Sequence, residues 1–299
     1  MKDLSIVILS YNTKEITSQC IKSLVKSLTS AVLGVEILVI DNASIDGSVE
    51  MLQHLAKKYL TKSDKFLFKP IFFKDNFGYS KANNKSLLHS TGKYLLFLNS
   101  DVIVDNVNFD VLMEYMNSSS EVGGLTVRVN LPNGQIDPAS HRGFPTLWRS
   151  LCYFSGLEKL SAKLPIANKL FGGYHLLSYS LNIPHEIDSP SGAFFLIRRE
   201  IFEKLKGFDE EFFMYGEDLD LSFRIKELGY KIKYEPSYCV THLKYRSGLS
   251  NDNDAIRNKI QEHFYEAMKI FYKKHYEKKY PVPINSLIYF LINLKKHFS

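Results

Sequence analysis

The chain has 299 residues and a formal net charge of +6, long enough to bury a full core in one large domain or two modest ones without disulfides. Cys20, Cys152 and Cys239 are odd in number and too far apart for a metal cluster or redox pair, which fits a reducing cytoplasm. No segment reaches the roughly twenty apolar residues of a spanning helix, residues 1–9 read as a first strand and not a signal peptide, and no base-reading module accompanies the basic residues, which argues against nucleic acid.

In chain order, the apolar run 4–9 predicts a strand, followed by a Ser10, Tyr11, Asn12 loop. Ile16, Cys20, Leu24 and Leu28 then repeat at helical spacing. Residues 35–40 form a second strand ending in Asp41, 48–59 a helix, 66–73 a third strand, and 78–89 a helix opened by Asn76, Phe77 and Gly78. Residues 94–98 are the next strand, ending in Asn99, Ser100 and Asp101. This alternation predicts an α/β fold with a mostly parallel, helix-flanked sheet and ligands beyond the carboxyl ends of its strands. Ser10 and Tyr11, Asp41, Asn76 and Asp101 all fall at such ends. Any one is ordinary turn chemistry; four in succession mark a site.

Beyond Asp101 the pattern loosens. A helix is expected over 109–116, a strand over 122–129, and a hairpin around Pro132, Asn133 and Gly134. Residues 141–186 read as irregular, aromatic-rich and broken by Pro145, Pro165 and Pro184, an inserted segment that either covers substrate or elaborates the surface. A strand over 192–198, a short helix over 201–205, strands near 231–234 and 239–241, and a helical tail from Asp254 complete the expectation.

The stretch from Gly207 to Leu221 holds six carboxylates in twelve positions, Asp209 to Asp220, interleaved with Phe212, Phe213, Met214 and Tyr215. Apolar neighbours pull these charges inward, so something must compensate them. From Glu217 the pattern is helical, with Leu221, Ile225 and Leu228 on one face and Gly229 at the stop. Asp218 lies on that face at the N-terminus, where the dipole favours an ionised carboxylate and hence a base. Asp220 is expected to pair with Arg224 at i, i+4, and Glu210 to be a surface acid. In the tail, Lys273, Lys274, Lys278, Lys279, Lys295 and Lys296 flank the apolar run 284–294. This is either a helix face packed on the body or an interfacial anchor; Tyr276, Tyr280, Tyr289 and Phe290, interfacial residue types, favour the anchor.

From Ser5 to about Ser247 the chain resembles the family 2 inverting glycosyltransferases of the GT-A fold, in the bacterial rhamnosyltransferase-like branch. The motifs are Ser10-Tyr11-Asn12, the run from Asp41 to Ser48, Asn76-Phe77-Gly78 with Ala82, Asn83 and Asn84, Asn99-Ser100-Asp101, Ser191-Gly192-Ala193, and Gly207 through Leu221. The resemblance implies that Tyr11 and Asp41 hold the pyrimidine with Ser10 and Asn76 close by, and that Asn99 and Ser100 lie near the ribose. It implies a divalent cation, magnesium or manganese, on Asp101 and His242, although the family often has aspartate where Asn99 stands. Asp218 matches the catalytic base, Glu217 would orient it or the acceptor, and Ser191, Gly192 and Ala193 would face the donor sugar.

The implied activity moves rhamnose from dTDP-rhamnose to a lipid-linked saccharide in cell-surface polysaccharide synthesis. The enzyme would be cytoplasmic or peripheral on the inner membrane face, with the tail as its contact. A UDP-hexose or UDP-N-acetylhexosamine donor needs nearly the same contacts. A nucleotidyltransferase is disfavoured because the first loop lacks glycine; a non-catalytic binding module is supported only by Asn99. A processive synthase would need a Gln-x-x-Arg-Trp segment and a membrane channel. The expected layout is a GT-A domain over 1–250, with a nucleotide half (1–101) and an acceptor half (102–250), and a basic helical extension over 251–299.

Overall fold

Four apolar strands, β1 (Leu4–Ser10), β2 (Val35–Asn42), β3 (Phe66–Phe73) and β4 (Tyr94–Asn99), pair in parallel in the order β3-β2-β1-β4. The connections are α1 (Lys14–Ser27), α2 (Ser48–Leu60) and α3 (Gly78–Ser86). The computed structural model describes residues 2–60, 66–244 and 254–297. Successive residues of the central strands enter two different cores. Ile6, Ile8, Ile37, Val39, Leu96 and Leu98 join one cluster, whereas Val7, Ile40, Leu95 and Phe97 join the other. The sheet is therefore covered on both faces, and its strands read as continuous apolar runs.

After β5 (Val102–Val104), α4 (Phe109–Ser118) and β6 (Val122–Asn130), the chain makes α5 (Leu147–Phe154), α6 (Leu157–Ser161), α7 (Pro165–Phe171) and β7 (His185–Ile187). β8 (Phe194–Arg198), α8 (Arg199–Lys204), α9 (Glu217–Glu227) and β9 (Lys231–His242) then complete a sheet of order β3-β2-β1-β4-β8-β6-β9-β5, with β7 on β9. β8 runs antiparallel to both β4 and β6, so the sheet is parallel in its first half and mixed in its second. At α9, Leu221 and Ile225 are buried in the second core with Phe202 and Phe208.

Three expectations change. The 141–186 segment carries three short helices: Thr146 caps α5 by accepting from the Arg149 N–H, and Pro165 opens α7, where its missing N–H costs nothing. The two strands expected around 231–241 are one, because a register shift opposite Val127 and Arg128 lets β9 pass Pro236 still paired. The turn at Pro132–Gly134 forms, but the returning chain makes only an Asn130–Ile136 bridge, and β6 lies between β8 and β9.

The tail packs on the body through α10 (Asp254–His275), and α11 (Val282–His297) packs on α10. Ala267, Phe271, Tyr272 and Tyr276 bury against Phe212 and Leu219. Lys274 pairs with Asp209 and Glu211, at 2.6 Å for the latter. Asp220, 1% exposed, is held by Arg224 at 2.6 Å and by His275 at 2.8 Å, so the i, i+4 pair is also the tail's anchor. Glu210 accepts from Asn84. Removing one partner of a buried pair strands the other. Asp220→Ala should therefore lower unfolding free energy by about 3 kcal/mol in urea titration; a change below about 1 kcal/mol would mean that the tail is anchored elsewhere.

Candidate active site

The loops after β1 and β2 brace each other. Asn12 takes a positive φ and accepts from the Ile45 N–H at 2.8 Å, while its own N–H donates to Ser44 and Lys14 N–H donates to Asp46. Asp41 lies beside Ser10 in the β1–β2 register. One carboxylate oxygen accepts from the Ser44 N–H at 3.0 Å; the other, Oδ1, is buried without a hydrogen-bond partner. An unpaired buried acceptor is costly, and an imide N–H of a pyrimidine has the complementary polarity. Tyr11 is exposed at this edge. Ser10, by contrast, turns its hydroxyl inward to Thr13 and Thr17. Asn76 accepts from Asn42 and from the Gly78 N–H, which shapes the turn into α3.

A second group gathers where β4 and β9 end. Val102 pairs with His242 across β5 and β9, which sets His242 Nε2 3.2 Å from Asp101. His242 Nδ1 lies 2.7 Å from the fully buried Asp137, which also binds Lys244 at 2.8 Å. Burial alone would depress the imidazole pKa, but hydrogen bonds to Asp101 and Asp137 push it up to about 9. Burial raises Asp137, and the bonds from His242 and Lys244 more than offset this, to about 2. A carboxylate behind the second nitrogen of a histidine is the arrangement that orients a metal-binding imidazole. Without a metal the imidazole is therefore a cation bonded to both carboxylates; a hard cation held by Asp101 and His242 Nε2 would displace the Nε2 proton and take its remaining ligands from substrate phosphate and water. Among the described residues no cluster of three or more such side chains exists. Ser100 reaches only Thr13, at 3.4 Å.

The third group lies at the start of α9. Asp218 Oδ2 meets Arg142 at 2.7 Å, both nearly buried, and Oδ1 accepts from the Leu219 N–H. Arg142 also donates to the Pro190 carbonyl. Glu217 next door has no such partner: burial, reinforced by the Asp218 charge, pushes its pKa up to about 8, and its Oε2 lacks a hydrogen bond. Burial thus holds Glu217 toward its neutral form, while Asp218 is the one of the two that meets a guanidinium. Tyr79, partly buried, feels both carboxyl groups. A Cβ on Gly192 would come within 2.4 Å of the Tyr79 hydroxyl and 3.3 Å of Asn99. The glycine thus makes room for protein side chains, and Ser191 and Ala193 beside it are buried. Tyr215 feels the charges of both Glu217 and Asp101, which places it between the start of α9 and the β4 end.

Asp137 and Arg142 were not singled out by the sequence. Each acts through a partner 105 or 76 residues away, and neither lies in a local pattern.

The glycosyl transferase family 2 profile matches residues 5–206, about two thirds of the chain. The chain belongs to glycosyl transferase family 2. It is a glycosyltransferase, and the profile stops short of Glu217, Asp218 and His242. The chain is 25% identical over 196 residues to the rhamnosyltransferase WbbL of Escherichia coli, covering 63% of this chain and 69% of that one. It is 26% identical over 227 residues to the N-acetylglucosaminyl-diphospho-decaprenol L-rhamnosyltransferase of Mycobacterium tuberculosis, covering 71% and 68%. The fold matches the mannosyltransferase PcManGT of Pyrobaculum calidifontis, solved with GDP-Man and Mn2+, at a TM-score of 0.57 and 15% identity, covering 100% of this chain and 72% of that one. It also matches S. aureus TarS 1-349, solved with UDP-GlcNAc, at 0.57 and 16%, covering 99% and 72%. This is the GT-A fold.

Because the folded pKa of Glu217 lies above its unfolded value, its contribution is fully present below about pH 4.5 and is lost as pH rises through about 8. Glu217→Gln should remove that dependence. Between pH 5 and pH 9 the melting temperature of the parent should fall relative to the variant; parallel curves would show that Glu217 is ionised in the fold.

Proposed function

We propose that this glycosyltransferase is metal-dependent and inverting, that it transfers rhamnose from dTDP-rhamnose to a lipid-linked saccharide, and that the product enters cell-surface polysaccharide. The observation that carries the mechanism is the separation of roles between Asp101–His242 at the strand ends and Asp218–Arg142 at α9. The donor class is supported by the two rhamnosyltransferase relatives, and the lipid-linked acceptor by the printed name of the mycobacterial one.

In this reading Asp41 and Tyr11 receive the base, Asn76 keeps the adjoining turn in shape, and Asn99 and Ser100 lie beside the ribose. Asp101 and His242, oriented by Asp137, would hold magnesium or manganese, which would neutralise charge on the departing diphosphate. Asp218 accepts the proton of the acceptor hydroxyl as that oxygen bonds to the anomeric carbon. The bond from this carbon to the diphosphate oxygen breaks on the opposite side, and nucleoside diphosphate leaves. One displacement inverts the centre, and a single basic carboxylate is enough, which suits a neutral Glu217. Arg142 fixes Asp218 against rotation, and Ser191, Gly192 and Ala193 border the donor sugar. The exposed apolar side of α11 serves as a lipid contact on the inner membrane face.

A UDP-sugar donor is the second reading, favoured by the TarS likeness in fold. Thermal-shift titration with dTDP and UDP, each with and without magnesium or manganese, separates the two through the stabilisation a ligand confers on the native state. A metal-dependent rise with dTDP alone supports the rhamnosyl donor, and a rise with UDP alone replaces it. Asp218→Asn should cut transfer by about 10²–10⁴-fold with nucleotide binding retained; near-normal transfer would remove Asp218 as base. Asp137→Asn should weaken the metal-dependent part of the nucleotide shift by about 10–100-fold in affinity, and an unchanged metal titration would make the His242–Asp137 pair purely structural.

A further inference from the structure

The insertion from Arg142 to Pro184 is built inside out. Glu158, Ser161 and Asn168 are buried, whereas Leu160, Leu164, Ile166 and Leu170 are exposed, Leu160 at 75% and Ile166 at 89%. The inner side is a polar lock. Glu158 binds the His175 ring at 2.8 Å and its backbone N–H at 2.9 Å, and Asn168 bonds Ser161 and the carbonyls of Ala162 and Leu177. A segment facing water would place these groups the other way round.

The charges are sorted as well. Glu158 is the single carboxylate between residues 141 and 185. The two arginines turn to the body, Arg142 to Asp218 and Arg149 to Asp188. Lys159, Lys163 and Lys169 are exposed among the leucines. α11 repeats the composition: residues 282–297 contain no acid, and Leu287 and Phe290 are exposed. Leu147 of α5 and Ile288 and Tyr289 of α11 pack against the same apolar cluster. No described helix is long and apolar enough to cross a membrane.

We propose that α6 and α7 form the principal membrane-docking surface of this protein, with α11 as its flank, and that the occupant is the surface of an anionic lipid bilayer. Acid-free apolar faces studded with lysine match that surface in both hydrophobicity and charge. A protein partner would have to offer an acidic complement to these lysines. The placement deepens the lipid-linked acceptor reading and rests on it only for its purpose. Since Arg142 begins the insertion and holds Asp218, a bilayer seated on α6 and α7 would deliver a headgroup-borne hydroxyl on the acceptor side of the base.

The test is co-sedimentation of the full chain with phosphatidylcholine vesicles with and without phosphatidylglycerol, in the absence of any donor. The parent protein should bind the anionic vesicles and lose affinity as salt is raised. Leu160→Glu, Ile166→Glu and Leu170→Glu combined should reduce partitioning by at least about tenfold, with far-UV circular dichroism and the nucleotide thermal shift unchanged. Leu287→Glu with Phe290→Glu should reduce it less. Failure of the parent to bind, parent-like binding by the triple variant, or loss confined to the α11 variant would each overturn the proposal. So would a parent dimer in light scattering that the triple variant dissolves without any vesicle binding. Because no turnover is measured, an incorrect donor or base assignment leaves the outcome untouched.

Discussion

The pairing of Arg142 with Asp218 is the contact on which the site's geometry depends. It joins the first residues of the insertion to the first turn of α9, and it does so in a place where both charges are nearly buried. Two such charges lose several kcal/mol of hydration each, and their attraction offsets this only when the geometry is good. The pair is therefore weak evidence for stability. What it supplies is position: one carboxylate oxygen is fixed by the guanidinium and the other by a backbone N–H. The neighbouring Glu217, with no cation of its own, is left to remain neutral.

Similar incompleteness recurs around the site. Asp41 Oδ1, Glu217 Oε2 and Arg142 Nε are all buried without hydrogen-bond partners. Native interiors leave few polar atoms in that state, because each costs roughly 1–3 kcal/mol. Asp41 lies at the end of β2 and the other two around the start of α9, while Ser80 Oγ, Arg224 Nη2 and His263 Nε2 share the condition; such local inconsistency is of the kind that functional sites retain and ligands relieve. At Asp220, by contrast, Arg224 and His275 take up both carboxylate oxygens.

The half of the chain made of regular βα units was legible from the sequence because its signal is local. The runs of β1, β2 and β4 bury both faces, their helices repeat at 3.6 residues, and each strand end falls within a residue or two of its expected place. Asp101 and His242 lie 3.2 Å apart although far apart in the sequence. Asp137 and Arg142 could not be read, since their importance lies in a pairing and not in a pattern. The prolines misled for a physical reason: Pro165 starts a helix as readily as it ends one, and Pro236 is tolerated in β9 beside a register shift. The tail was ambiguous because its charges point both ways; α10 spends Lys274 and His275 on the body, and α11 keeps an apolar face outward.

The inverted insertion follows from the same physics. Exposing several leucines to water costs about 1.5–3 kcal/mol per side chain relative to burial, and a chain with an apolar core of this size had room to bury them. Instead the insertion uses its buried side for Glu158 and Asn168, whose bonds hold α6 and α7 against each other irrespective of solvent. The same segment begins at Arg142, whose guanidinium lies 2.7 Å from Asp218, so the packing of the insertion and the position of that carboxylate are set together.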